Sequence, residues 1–168
     1  KAGILLGLAL YATGALLFIP AIRSFGESRR AAAALSAGDI VEARIQTAAS
    51  RENGIALIGS HHNFEETPDA GSLVAKFALA HRLEADIAKV AVMPKGPQDV
   101  LTLLGATHEA SQSLPIPLIS MSMGPYGSLS RMVGFVYGSA LTWAVGKSSS
   151  APGQVPIEDL RAVLATIA

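Results

Sequence analysis

The chain has 168 residues, 50% hydrophobic and 15% charged, which is enough apolar material for one folded domain. Thirteen basic side chains balance thirteen acidic ones, and the aromatics amount to one Trp, three Tyr and five Phe, so nothing favours nucleic acid as a partner. The absence of cysteine excludes disulfides, thiolate catalysis and sulfur-ligated zinc.

In chain order, Lys1 is followed by a run from Ala2 to Ile22 with no charged residue. About 20 such residues can span a bilayer as a helix. Arg23, Arg29 and Arg30 follow, so a span would place the remaining chain in the cytoplasm. A signal peptide, with an apolar core of roughly 7–15 residues, and a helix packed on the domain are the alternatives. The run Gly7-Leu8-Ala9-Leu10-Tyr11-Ala12-Thr13-Gly14-Ala15-Leu16-Leu17-Phe18-Ile19-Pro20-Ala21 resembles one helix of the major-facilitator sugar symporters. One helix cannot form a transport pathway. Because the chain begins with Lys rather than Met, a processed, excised or incomplete product is expected. Residues 1–23 thus read as an apolar helix, either a membrane span or a fusion artefact, and 24–37 as a linker.

From residue 38 onward, strands alternate with helices. Asp39 to Ile45 and Ile55 to Ser60 read as strands. Thr67-Pro68-Asp69 reads as a helix start, with a capping hydroxyl and Pro at the first helical position. Leu73, Val74, Phe77 and Leu83 then share a face. Ile87 to Met93 is a strand, and Gly96-Pro97-Gln98-Asp99 opens a helix whose Val100, Leu103, Leu104 and Thr107 share a face. Ile116 to Met121 is the next strand, with a short helix near Ser130 to Phe135 and a strand from Ser139 to Val145. Gly146 to Gly153 reads as a flexible loop, and Ile157 to Ile167 as a final helix. This order predicts α/β architecture with a parallel sheet, either open and doubly wound or part of a (β/α)8 barrel. The lack of a Gly-x-Gly-x-x-Gly fingerprint after a strand disfavours dinucleotide binding.

Lys89 stands in the apolar strand, with Ile87, Ala91 and Met93 on its side and Ala88, Val90 and Val92 on the other. Burial lowers an ammonium's pKa, and a neutral amine is what Schiff-base chemistry needs. The competing reading is a lysine that reaches solvent or pairs with Asp86 or Glu84. His61 and His62 lie just past a strand and point to opposite sides, so at most one enters a site. His81 and His108 read as surface residues on helices. Arg131 follows a Gly-rich stretch and could clamp a carboxylate or simply lie on the surface. Nothing else at ligand spacing joins the histidines, so no metal is expected.

Several segments resemble the type I 3-dehydroquinate dehydratases, in family order and spacing. Ser60-His61-His62-Asn63-Phe64-Glu65-Glu66-Thr67-Pro68 resembles the segment with the catalytic histidine, and Ala85-Asp86-Ile87-Ala88-Lys89-Val90-Ala91-Val92-Met93-Pro94 the one with the Schiff-base lysine. Asp99 to Leu104, Ile119 to Gly124, Ser130-Arg131, Gly138 to Thr142 and Ser150 to Val155 continue the likeness. The resemblance implies a lyase that converts 3-dehydroquinate to 3-dehydroshikimate and water in the shikimate pathway, without a cofactor. It implies His62 and Lys89 as catalytic and Arg131 as the carboxylate clamp. Ser150 and Gln154 would lie on a closing loop, and Glu42 and Arg44 would bind substrate hydroxyls. Apart from the resemblance, an open half-sheet would expose apolar edges that invite a homodimer. The flanking arginines make a cytoplasmic location the expectation, with membrane contact through residues 2–22 if the leader is an anchor.

Gln46 stands where the family usually has an acid. A complete barrel takes about 250 residues, and there is no room between Arg44 and Gly54 for further units. Residues 38–168 therefore read as a partial barrel of the TIM type preceded by an apolar helix. Impaired activity, or an inactive remnant serving as an interaction module, is the alternative to a working dehydratase.

Overall fold

The computed structural model describes residues 48–148 and 151–167. The expected apolar helix, the linker and the strand at Asp39 to Ile45 lie outside these residues, as do Glu42, Arg44 and Ser150. Among the described residues no helix is long and apolar enough to cross a membrane.

Three parallel strands form the centre: β1 (Ile58–Asn63), β2 (Ile87–Val92) and β3 (Leu118–Ser122), in that spatial order. Helix α1 (Ala70–Arg82) connects β1 to β2, and α2 (Pro97–Ser113) connects β2 to β3. Parallel neighbours need such crossovers, and the helices bury the sheet face that they cross. Leu73 and Phe77 of α1 and Leu103, Ala106 and Ala110 of α2 pack with Ala88, Val90 and Val92 of β2, as the predicted strand alternation requires. The opposite face carries Ala91, Ile119 and Met121, with Ile87, Leu141 and Trp143 against them. Lys89 belongs to this second face by the same alternation.

Several boundaries differ from the sequence reading. β1 runs to Asn63, so His61 and His62 are strand residues paired with Val90 and Ala91 rather than loop residues beyond it. The cap of α1 is Asp69, whose carboxylate accepts the Ser72 N–H at 2.9 Å. Pro68 lies outside the helix, and the Thr67 hydroxyl instead donates to the Met93 carbonyl, which ties two loops together. Helix α3 (Gly124–Val133) starts six residues before the expected Ser130 and passes into a 3-10 turn, Gly134–Tyr137. Gly127 serves close packing here: a Cβ on it would strike the Ser122 carbonyl.

The expected strand from Ser139 to Val145 is reduced to a single bridge from Ser139 to Leu118 and a two-residue strand, β4 (Ala144–Val145). The cause is a side-chain substitute for the ladder. The Ser139 hydroxyl accepts the Ser120 N–H at 3.0 Å and donates to the Leu141 carbonyl. β4 then pairs in parallel with β5 (Val155–Pro156), which leads into α4 (Ile157–Ile167).

Two glycines give opposite expectations. A Cβ on Gly59 would lie 2.8 Å from the Ala80 Cβ and 3.0 Å from that of Ala85, whereas one on Gly105 would meet nothing within 4 Å. Gly59→Ala should lower unfolding free energy by about 1–3 kcal/mol through overpacking. Gly105→Ala, inside α2, should raise it by about 0.5–1 kcal/mol. Urea unfolding of both variants checks this, and equal effects would contradict the packing described.

Candidate active site

The site is built on the sheet face away from the helices. In register, Ser60, Lys89 and Ile119 form one row across the strands, and His62, Ala91 and Met121 form the next. Alternation makes all six point to the same side. A cavity of about 270 Å³ lies over them, lined by His62, Phe64, Lys89, Met121, Met123, Arg131, Trp143, Ala151, Pro152 and Gln154, among others. Of the sequence candidates, the structure brings His62, Lys89, Arg131 and Gln154 together around this one space. Glu42, Arg44 and Ser150 are outside the described residues.

Lys89 is 8% exposed. Its suggested carboxylate partners are engaged elsewhere: Asp86 accepts the Leu57 N–H at 2.7 Å, and Glu84 pairs with Arg51 at 2.8 Å. The Nζ of Lys89 instead lies 4.8 Å from the centre of the Trp143 ring. Burial, with a smaller contribution from the charge of Arg131, lowers its pKa to about 8 from 10.5. At about pH 7.4 roughly a fifth of such amines are neutral, against roughly one in a thousand for an ordinary lysine. An amine of this kind is a ready nucleophile for a carbonyl.

His62 faces the cavity and His61 faces the helix side, beside the charge of Lys76. The His62 Nε2 lies 3.4 Å from the Ser60 hydroxyl, and its ring stacks on Phe64 with centroids 5.7 Å apart. Burial lowers its pKa to about 4, and the charge of Lys89 and then that of His61 add to the effect. A neutral imidazole beside a partly neutral amine can accept a proton and return it.

Arg131, on α3, is 2% exposed, which excludes the surface reading. Its guanidinium donates to the Met121 sulfur at 3.5 Å and to the Pro152 carbonyl at 3.3 Å. Among the described residues its Nε finds no hydrogen-bond partner. A buried cation held by a thioether and one long carbonyl bond retains capacity for an anion. The turn that carries Pro152 and Gln154 sits on the start of α3. Gly153 has φ +74°, and a Cβ there would strike the Gly124 carbonyl, so this close seating requires glycine.

Ser60, Phe64 and Trp143 were not singled out from sequence. Period-two alternation places Ser60 on the side of His62, so that signal was present. Trp143 stands one residue beyond the Gly138 to Thr142 segment, and nothing local indicates that its ring reaches Lys89. Among the described residues no cluster of three or more His, Cys, Asp or Glu could hold a metal ion.

The two histidines set an acid limit on stability. Both have folded pKa values of about 4 against an ordinary 6.5. A folded value below the unfolded one contributes stability that is present above pH 6.5 and is lost as pH falls through 4. Urea midpoints should fall across that window, and His61→Asn should flatten the decline. A midpoint constant over the window would contradict the partial burial of both rings.

The family model for type I 3-dehydroquinase matches residues 32–168. A 3-dehydroquinate dehydratase of Albidiferax ferrireducens is 65% identical over 117 residues, covering 70% of this chain and 44% of the relative. One from Geobacillus thermodenitrificans is 59% identical over 118 residues, covering 70% and 46% respectively. Among solved structures, 3-dehydroquinate dehydratase from Geobacillus kaustophilus superposes with a TM-score of 0.74 at 49% identity, covering 75% of this chain and 49% of that one. A type I enzyme from Clostridium difficile, solved with covalently modified comenic acid, gives a TM-score of 0.72 at 36% identity, covering 76% and 51%. The chain thus spans less than half the length of these two curated relatives. With its parallel α/β units and a match over most of its length, the chain belongs to the type I 3-dehydroquinase family.

Proposed function

We propose that the chain carries 3-dehydroquinate dehydratase chemistry, forming 3-dehydroshikimate and water through an imine on Lys89. The observation that supports this best is the buried Lys89 amine, with its pKa near 8, in one cavity with His62 and Arg131. In this reading Arg131 binds the substrate carboxylate, replacing its weak contacts to Met121 and Pro152 with two charge-assisted bonds. Lys89 condenses with the ketone, and the iminium draws electrons from the adjacent carbon. His62 removes a proton from that carbon and assists departure of the hydroxyl as water. Hydrolysis then frees the lysine. Ser60 holds the His62 ring through its hydroxyl.

Gln154 is carried by the turn seated on α3, where it would close over the substrate with Ser150. Glu42 and Arg44 would contact substrate hydroxyls. These roles rest on the family motifs, whereas the expectation of a homodimer rests on the apolar edges and faces that an open half-sheet would expose. Cytoplasmic placement rests on the charge pattern around the apolar run, and membrane contact through residues 2–22 follows only where that run is an anchor.

Turnover is measured by the ultraviolet absorbance of the conjugated product. Lys89→Met should abolish it. His62→Ala should lower kcat by about 10²–10⁴. Arg131→Met should raise KM by roughly 10- to 100-fold with a smaller change in kcat, the loss of a charged hydrogen-bonded clamp. Folded chain without turnover would leave the alternative, a family remnant acting as an interaction module. Activity that survives Lys89→Met would overturn the imine route.

A further inference from the structure

Burial makes Lys89 nucleophilic, and the same burial opposes the cation that its nitrogen must become. In condensation, a bond forms from the neutral Nζ to the carbonyl carbon, giving a carbinolamine. The carbon–oxygen bond then breaks, and the oxygen leaves as water. One of that water's protons comes from the nitrogen and the other from solvent. The iminium left behind has one N–H and a full positive charge, where the ammonium had three N–H donors. Hydrogen-bond acceptors that hold an ammonium therefore lose most of their hold on the iminium. Arg131 adds like-charge repulsion.

The Trp143 ring is a partner of another kind. Its centre lies 4.8 Å from Nζ, inside the range of about 6 Å for attraction between a cation and a π face. That attraction depends on charge and not on the number of N–H groups. The ring also cannot take the proton. It packs on Ala91, Ile119 and Met121 beside Leu141, and it precedes β4, whose pairing with β5 fixes the local chain. We infer that Trp143 is a catalytic residue of the imine chemistry, its ring face stabilising the iminium at Lys89 Nζ. This rests on the imine reading of Lys89 given above.

The chain has a single tryptophan, so biosynthetic incorporation of mono-, di- and trifluorotryptophan alters position 143 alone. Fluorine withdraws π density with little change of shape and weakens cation binding stepwise. Two quantities are read on the full chain: the rate of imine formation with 3-dehydroquinate, by rapid quenching into borohydride, and the titration of Lys89 by NMR. Measured above about pH 9, where Lys89 starts as the neutral amine and charge appears only in the iminium, the logarithm of the rate should fall steadily with fluorine count, by about tenfold at three fluorines, as loss of a desolvated cation–π contact implies. The Lys89 titration should move to lower pH in step. Trp143→Phe should retain most of the rate and Trp143→Leu should not. A rate and titration indifferent to fluorination would overturn the inference while leaving the imine intact. Absence of any imine in the unsubstituted chain would remove both readings, and the Lys89 titration separates that case from a failure of the ring contact alone.

Discussion

An amine buried in the middle strand of a parallel sheet is the constraint from which the rest of this site follows. Burying a charged ammonium is costly, so Lys89 is tolerated only where the cost is offset or the proton is surrendered. Its pKa near 8 shows the proton partly surrendered. The indole face at 4.8 Å offsets part of the remaining cost. A strand is a suitable place for such a group. Backbone bonds to β1 and β3 fix its direction, and the alternate residues Ala88, Val90 and Val92 anchor the other face in the helical layer.

The same sheet supplies the other polar groups without extra machinery. One strand over, Ser60 and His62 lie on the face of Lys89 because they differ by two residues. Arg131 reaches the cavity from the helix after β3. Its start is drawn against the strand end by Gly127, and the Ser130 hydroxyl accepts the Ser122 N–H at 2.9 Å. The three cationic or basic groups thus come from three successive β–α units. Two of them lower the proton affinity of the next: Arg131 acts on Lys89, and Lys89 on His62. The site is poor in negative charge among the described residues, which suits an anionic ligand that brings its own.

The helical faces were legible in sequence because apolar spacing reports burial directly: Leu73, Phe77, Val100, Leu103, Leu104 and Thr107 are all buried. Lys89 was also legible, as a charge in an apolar strand. Element ends were less so. Asp69 rather than Thr67 caps α1 because the Thr67 hydroxyl is engaged by Met93, a partner 26 residues away. Gly127 belongs to a Gly-rich stretch, yet it permits a helix to approach a strand, a tertiary reason that composition does not carry. The short β4 arises because a serine hydroxyl replaces a backbone acceptor, which no period reveals. The burial of Arg131 and the approach of Trp143 to Lys89 likewise depend on contacts remote in sequence.

The most direct test of this account is borohydride reduction of the chain in the presence of 3-dehydroquinate, followed by peptide mass mapping. The account predicts one reduced adduct, on Lys89, formed readily at neutral pH. An adduct on another lysine, or none on the folded chain, would contradict it.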